Sequence, residues 1–146
     1  MATKVHICDF LSNDEIDELQ SITPDQSYDV CLKKVRTQKQ LWTFSSPDGN
    51  MAYFTDSNDK SIHQSFWPGE NYIKFFQAAN TFEIIKSLII TSIDIDNLIQ
   101  LQINYPKNIK IRFYAFDEII TFKTIEDFTK TILRVPPNTS FAYSFN

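Results

Sequence analysis

Two segments with helix-capping residues open the chain. Ser12 is followed three positions later by Glu15, a capping box in which each side chain satisfies a backbone amide of the other's turn. It predicts a short helix over residues 13–21. Thr23-Pro24 predicts the start of a second helix, extending to about residue 38, because proline suits the first helical position. The apolar face of this second helix is formed by Tyr28, Cys31, Leu32 and Val35.

Strand patterns begin after residue 40. Residues 41–44 and 51–54 flank a Pro-Asp-Gly-Asn turn at 47–50, which predicts a hairpin. Residues 62–66 are expected to add a third strand and complete a meander, ended by Trp67-Pro68.

Helix and strand patterns alternate in the remainder of the chain. Apolar spacing over 72–79 predicts a helix that ends near Asn80. The run 82–90 fits either a helix or a buried strand, and its isoleucine content favours a strand from about residue 84. The next predictions are a helix capped by Thr91 or Ser92 and closed by Pro106, and strands at 109–113 and 119–122. A helix at 125–133 capped by Thr124 and a strand at 141–145 complete the series.

This order of elements predicts an α+β fold with one mixed, mainly antiparallel sheet and helices packed chiefly on one face. The 146 residues suffice for a single domain over 1–146, with a helical part at 10–39 and a sheet-containing part at 40–146. The predicted core consists of Trp42, Phe44, Phe66, Trp67, Phe75, Phe76, Ile111, Phe113 and Phe128.

Composition narrows the classes of function. The two cysteines are far apart and form no Cys-x-x-Cys pair, so neither a disulfide framework nor a zinc site is expected. The net charge of −4 argues against nucleic acid as a partner. No apolar run is long enough for a signal peptide or a membrane span. We therefore expect a cytoplasmic protein that does not enter membranes.

Glycine is scarce, which excludes several enzyme classes. The chain has two glycines, Gly49 and Gly69, whereas dinucleotide fingerprints, phosphate-binding loops and nucleophile elbows each need two or more in close spacing. No familiar metal-binding motif is present either. The sequence therefore predicts no catalytic residue set, no cofactor and no metal.

A few residues could still carry chemistry if folding brought them together. His6 and Cys8 lie two apart, so a strand would place both on one side, where a histidine can activate a thiol; a partly buried edge strand is the simpler interpretation. His63 lies in a predicted strand without a nearby carboxylate. Asp94 and Glu118 complete this scattered set, although capping a helix is the simpler role for Asp94.

Two charged clusters admit a functional and a structural explanation. Asp14, Glu15, Asp17 and Glu18 are the candidate partner-binding residues, forming a docking face for a basic protein, yet acids in a first turn also complement the helix dipole. The second cluster, at the end of the next helix, could bind phosphate or complement the opposite end of a dipole. It consists of Lys33, Lys34, Arg36 and Lys39.

Aromatic residues raise two further alternatives. Trp67 is held in an extended conformation by Pro68, which suits either a core anchor or a platform on which a ligand stacks. Phe141, Tyr143 and Phe145 alternate in the final segment and form either a strand docked on the sheet or an exposed strip.

Several of these short motifs together resemble a bacterial family known as domain of unknown function 2750. The matching segments are 41–44, 48–49, 66–68, 93–98, 109–116 and 125–133, together with Tyr72 and Phe75. The resemblance covers about residues 26–133. The family has no assigned activity, so the resemblance implies no functional residue.

Three hypotheses of function follow. The first is a small protein-binding domain, in particular an immunity-like inhibitor, which needs a folded core and a charged recognition face but no catalytic set. The second is an enzyme whose site is assembled only by folding. The third is a homo-oligomeric structural module joined through the aromatic tail.

Overall fold

A computed structural model of the chain describes residues 2–6 by their backbone, and residues 13–14, 28–115 and 118–133 in full. The strands are β1 (Ala2–His6), β2 (Gln40–Ser45), β3 (Phe54–Thr55), β4 (Ile62–Phe66), β5 (Ile89–Asp94), β6 (Ile109–Ala115) and β7 (Glu118–Phe122). The helices are α1 (Tyr28–Gln38), α2 (Glu70–Ala79), α3 (Glu83–Lys86), α4 (Leu98–Ile103) and α5 (Ile125–Leu133), with a 3-10 turn at Ile95–Asn97.

The described strands form two sheets. The larger has the order β1-β7-β6-β4-β3, and the smaller is the pair β2-β5. β4 and β6 run parallel, whereas every other described pair is antiparallel. The α+β class and the mainly antiparallel character are thus confirmed, but the expectation of one sheet is wrong. The packing of helices chiefly on one face stays a prediction.

The predicted hairpin forms only at its turn. Ser46 N–H donates to the Asn50 carbonyl at 2.7 Å, a bridge joins Ser45 to Met51, and Ala52 N–H donates to the Phe44 carbonyl at 2.9 Å, where the pairing ends. On its opposite edge the full length of β2 pairs with β5, and the short strand β3 pairs with β4. The antiparallel pairing of β3 with β4 agrees with the predicted meander, but β2 does not pair along β3, because Trp42 pairs with Trp67 beyond the end of β4.

Residues 82–90, for which the sequence allowed a helix or a strand, contain both. The short helix α3 is followed by β5, so the strand begins about five residues later than expected. The amide of Gln77 in α2 donates to the carbonyls of Ile85 and Leu88, at 3.0 and 2.8 Å, which stabilises the helical turn. Because β5 extends to Asp94, neither Thr91 nor Ser92 is a helix cap. The carboxylate of Asp94 caps the following turn by accepting the N–H of Asp96 at 2.9 Å, as expected.

Aromatic stacking between α5 and the large sheet builds the core. Phe128 stacks on Phe66 with ring centroids 5.0 Å apart and meets Phe122 edge-on at 5.3 Å. α5 begins where the Thr124 hydroxyl accepts the N–H of Asp127, the predicted cap. Seven predicted core residues are buried, while Trp42 and Phe76 are partly buried against the same core.

Two tryptophans join the two sheets. The N–H of Trp42 donates to the Trp67 carbonyl at 3.0 Å, and the N–H of Trp67 donates to the Trp42 carbonyl at 2.8 Å. Beside them the Thr43 hydroxyl donates to the Ser65 carbonyl at 2.7 Å. β2 is thereby fixed against the end of β4.

We expect Phe113→Ala or Phe128→Ala to lower the free energy of unfolding by about 3–5 kcal/mol, because each side chain is fully buried and its loss leaves a cavity. Phe82→Ala is the matched control, since that ring is 67% exposed and its loss should cost little. Urea unfolding monitored by circular dichroism measures all three. Equal losses for buried and exposed positions would contradict the assigned core.

Candidate functional site

Charged and polar side chains of β4 and β6 gather on the sheet face opposite the helix α5. Alternation places His63 and Ser65 together on this face, and the parallel register sets Arg112 beside Ser65. Arg112 Nη2 lies 2.6 Å from Asp56 Oδ2, and Arg112 Nη1 lies 3.4 Å from His63 Nε2. We call Asp56, His63 and Arg112 the polar cluster.

The turn after β3 holds the carboxylate of this cluster in place. Asp56 Oδ1 accepts the N–H groups of Asn58 and Asp59 at 2.7 and 3.3 Å, an Asx turn that leaves Oδ2 for Arg112. The hydrogen bond from Arg112, followed by those two backbone donors, lowers the pKa of Asp56 from 3.8 to about 2. Asp56 is therefore ionised at neutral pH.

His63 is enclosed rather than accessible. Its exposed fraction is 5%, and its ring lies 5.8 Å from that of Phe54. Burial, followed by the positive charge of Arg112, lowers its pKa from 6.5 to about 4. The imidazole is thus neutral at pH 7 and closed off from a substrate, so this geometry suits structural support better than proton transfer.

Of the other residues in the scattered catalytic set, His6 and Glu118 are backbone neighbours on adjacent strands of the large sheet, and Asp94 lies in the small sheet. His6 belongs to β1, the edge strand that the sequence predicted, where its backbone is opposite Glu118. Cys8 lies outside the described residues, so the His6–Cys8 pairing stays a prediction. Asp94 is used as a cap at the end of the small sheet.

Only one of the four acidic candidates can be placed. Asp14 is helical and exposed. Glu15, Asp17 and Glu18 lie outside the described residues. Their role in partner binding stays a prediction.

Arg36 in the basic cluster is directed at a neighbouring helix. Its guanidinium donates to the carbonyls of Thr131 and Ile132, at 2.6 and 3.0 Å, near the C-terminal end of α5. These contacts stabilise the negative end of the helix dipole. Lys33, Lys34 and Lys39 are exposed. An open groove of about 410 Å³ lies beside Arg36, lined by Lys33, Arg36, Thr37, Ile95, Ile132 and Leu133.

Trp67 is a core anchor, and it is not available as a platform for a ligand. Its exposed fraction is 2%, its ring stacks on Tyr114 at 4.6 Å, and Phe76 and Phe44 approach it at 4.9 and 5.2 Å. The aromatic tail at 141–145 lies outside the described residues.

The small sheet has an open edge that the sequence did not reveal. Among the described strands, β5 pairs with β2 alone. Three large apolar side chains are exposed just before this strand or at its first residue: Phe82 at 67%, Ile84 at 72% and Ile89 at 49%. We call β5 with these residues the β5 edge. The ambiguity of 82–90 concealed it, since a buried strand would have no exposed side chains.

Comparisons with known proteins leave the family open. No family model matches the chain, and no curated protein matches it. A solved structure described as Anabaena Tic22 (protein transport) has a TM-score of 0.34 and 14% identity, with 62% of this chain matching 47% of that one. Less than half of that protein is therefore matched, and so low a score supports no inference about fold or function. The resemblance to domain of unknown function 2750 stays a prediction.

The described part of the chain holds no clustered set of metal ligands. Its residues contain no group of three or more histidine, cysteine, aspartate or glutamate side chains that could hold a metal ion. None of the described helices has both the length and the apolar character needed to cross a membrane.

Folding stability should fall as the pH drops from about 6.5 to about 4, because His63 then binds a proton in the unfolded chain but not in the folded one. A tenfold difference in proton affinity corresponds to about 1.4 kcal/mol, so the free energy of unfolding should fall by about 3 kcal/mol over this window. Urea unfolding at pH 7 and pH 4 measures it. His63→Gln should remove most of the loss.

His6→Gln provides the matched control and should keep the loss seen in the wild type. An equal loss in His63→Gln would show that another group is responsible. Protonation of Asp56 adds a separate loss at lower pH, below 3.8 and down to about 2, since its pKa is lowered.

Proposed function

We propose that this chain is a small cytoplasmic protein-binding domain whose partner docks on the β5 edge. The observation that carries the proposal is β5, a strand of six residues that pairs on one side only among the described strands, with Phe82, Ile84 and Ile89 exposed before it or at its start. Unpaired backbone groups give a partner strand directional hydrogen bonds, while neighbouring apolar side chains supply the surface to bury.

The hydrogen-bonding pattern shows which backbone groups face outward. Trp42 exchanges its backbone hydrogen bonds with Trp67, so its neighbours Leu41 and Thr43 face β5. Their partners in β5 are Ile93 and Thr91. Backbone groups alternate in direction along a strand. The N–H and C=O groups of Ile90, before Thr91, and of Ser92, between Thr91 and Ile93, therefore point away from β2.

The other open edges in the described part of the chain are poorer docking sites. β3 has two residues and is followed by the ion-paired Asp56. β1 contains Lys4 and His6. Short length and charge are the usual protections of an edge strand. β5 has six residues, and its charge is confined to its last residue, Asp94, which caps the following turn.

Placing charge on the edge should abolish partner binding. The tagged wild-type chain is used to capture partner proteins from native lysate, including untagged copies of the chain itself. We expect the Ile89→Lys variant not to capture them, because docking would bury the charged lysine. Mass spectrometry identifies the captured proteins, and titration with each purified protein measures affinity.

Ile103→Lys is the matched control, since Ile103 is 65% exposed but lies on α4. It should bind as the wild type does, and both variants should unfold at similar urea concentrations. The proposal fails if no captured protein depends on Ile89.

An immunity-like role adds a further expectation. If the partner is basic, the acidic residues of the N-terminal segment should speed association through long-range attraction. Replacing Asp17 and Glu18 by Lys should then lower the on-rate at low salt, and the difference should shrink once salt shortens the Debye length below about 10 Å. An unchanged on-rate would leave the acidic residues with the structural explanation of complementing the helix dipole.

A further inference from the structure

We propose that the β5 edge pairs antiparallel with the β5 edge of a second copy of this chain. The inference rests on the proposed function, since it names the partner that docks there. Two sheets of two strands, β2-β5 from each copy, would become one sheet of four strands. The extension gives the outward backbone groups of Ile90 and Ser92 partners in both copies.

Charge distribution along the segment favours a second copy in antiparallel orientation. Lys86 precedes β5 and Asp96 follows it, both exposed, with no charge between Lys86 and Asp94. Antiparallel pairing sets the basic start of each strand beside the acidic end of the other. The segment is therefore complementary to itself, whereas parallel pairing would bring like charges together.

The outward-facing backbone groups define a register. In an antiparallel pair of identical strands, the twofold axis runs perpendicular to the sheet. The residue beside this axis therefore lies opposite the same residue of the second copy. With Thr91 at the axis, Ile90 lies opposite Ser92 of the second copy, and the two can exchange hydrogen bonds. Antiparallel pairing also brings Lys86, at the end of α3, to the same end of the joined sheet as Asp96 of the second copy, in the 3-10 turn after β5.

Side chains support this register. Ile89 is then opposite Ile93 of the second copy, an apolar cross-strand pair at a position that is 49% exposed in one chain. Phe82 and Ile84 precede the strand and provide further apolar surface near each end of the joined sheet. An interface of this small size is expected to have a Kd on the order of micromolar.

Sedimentation velocity of the purified chain over a range of concentrations tests the proposal. We expect a monomer–dimer equilibrium in the wild type. Ser92→Pro should be monomeric, because it removes an outward N–H without touching a bond to β2. Ser92→Lys should be monomeric as well. It is a second test in case proline disturbs folding, and circular dichroism checks that both variants are folded.

A charge exchange tests the register. Lys86→Glu and Asp96→Lys should each weaken dimerisation roughly tenfold, since two symmetric attractions become repulsions, and the double variant should restore it. Lys107→Glu has the same change in charge at an exposed site away from the edge and should dimerise as the wild type does.

The outcomes separate this inference from the proposed function. A wild-type chain that stays monomeric, or a dimer that survives Ser92→Pro and Ser92→Lys, overturns self-pairing through β5. A double variant no better than the singles overturns the antiparallel register. In each of these cases the proposed function still stands if a different protein binds wild type but not Ile89→Lys.

Discussion

The exchange of backbone hydrogen bonds between Trp42 and Trp67 determines how the two sheets are arranged. It occupies the edge of β2 that would otherwise complete the hairpin, and it leaves the opposite edge to β5. Burial of the Trp67 ring against Tyr114 and Phe76 excludes water from the junction. The exposure of the outer edge of β5 is a direct consequence, because the small sheet is anchored on its β2 side.

A buried polar network fixes the same region. Gln64, fully buried in β4, receives a hydrogen bond from the Tyr105 hydroxyl, and its own amide lies 3.4 Å from the Thr43 hydroxyl. Buried amides are costly unless they are paired, so these contacts disfavour alternative registers of β2 against β4. Together with the tryptophans they tie the strand that supports β5 to the main core.

Local sequence patterns predicted the positions of helices and strands well, but they predicted poorly which strands pair with each other. The alternation of 109–113, the strand at 62–66 and the Thr124 cap depend on neighbouring residues, and the structure confirms each of them. The hairpin is shorter than predicted because Trp42 pairs with Trp67, 25 positions later, on the edge of β2 that faces residues 50–52. No local signal encodes that choice. The β5 edge was missed for the same reason, since exposure depends on which strands remain unpaired.

Many of the polar side chains that the sequence suggested as candidate site residues make stabilising contacts within the fold. Arg36 stabilises the carbonyl end of α5, Asp94 caps a turn, and Arg112 pairs with Asp56 beside a neutral His63. Each group is engaged within the chain, so its charge contributes little to recognition of another molecule. The β5 edge differs because the directional bonding capacity of Ile90 and Ser92 faces away from β2. Binding energy at this surface therefore comes from the backbone and apolar side chains, and the sparse charges at its two ends set orientation.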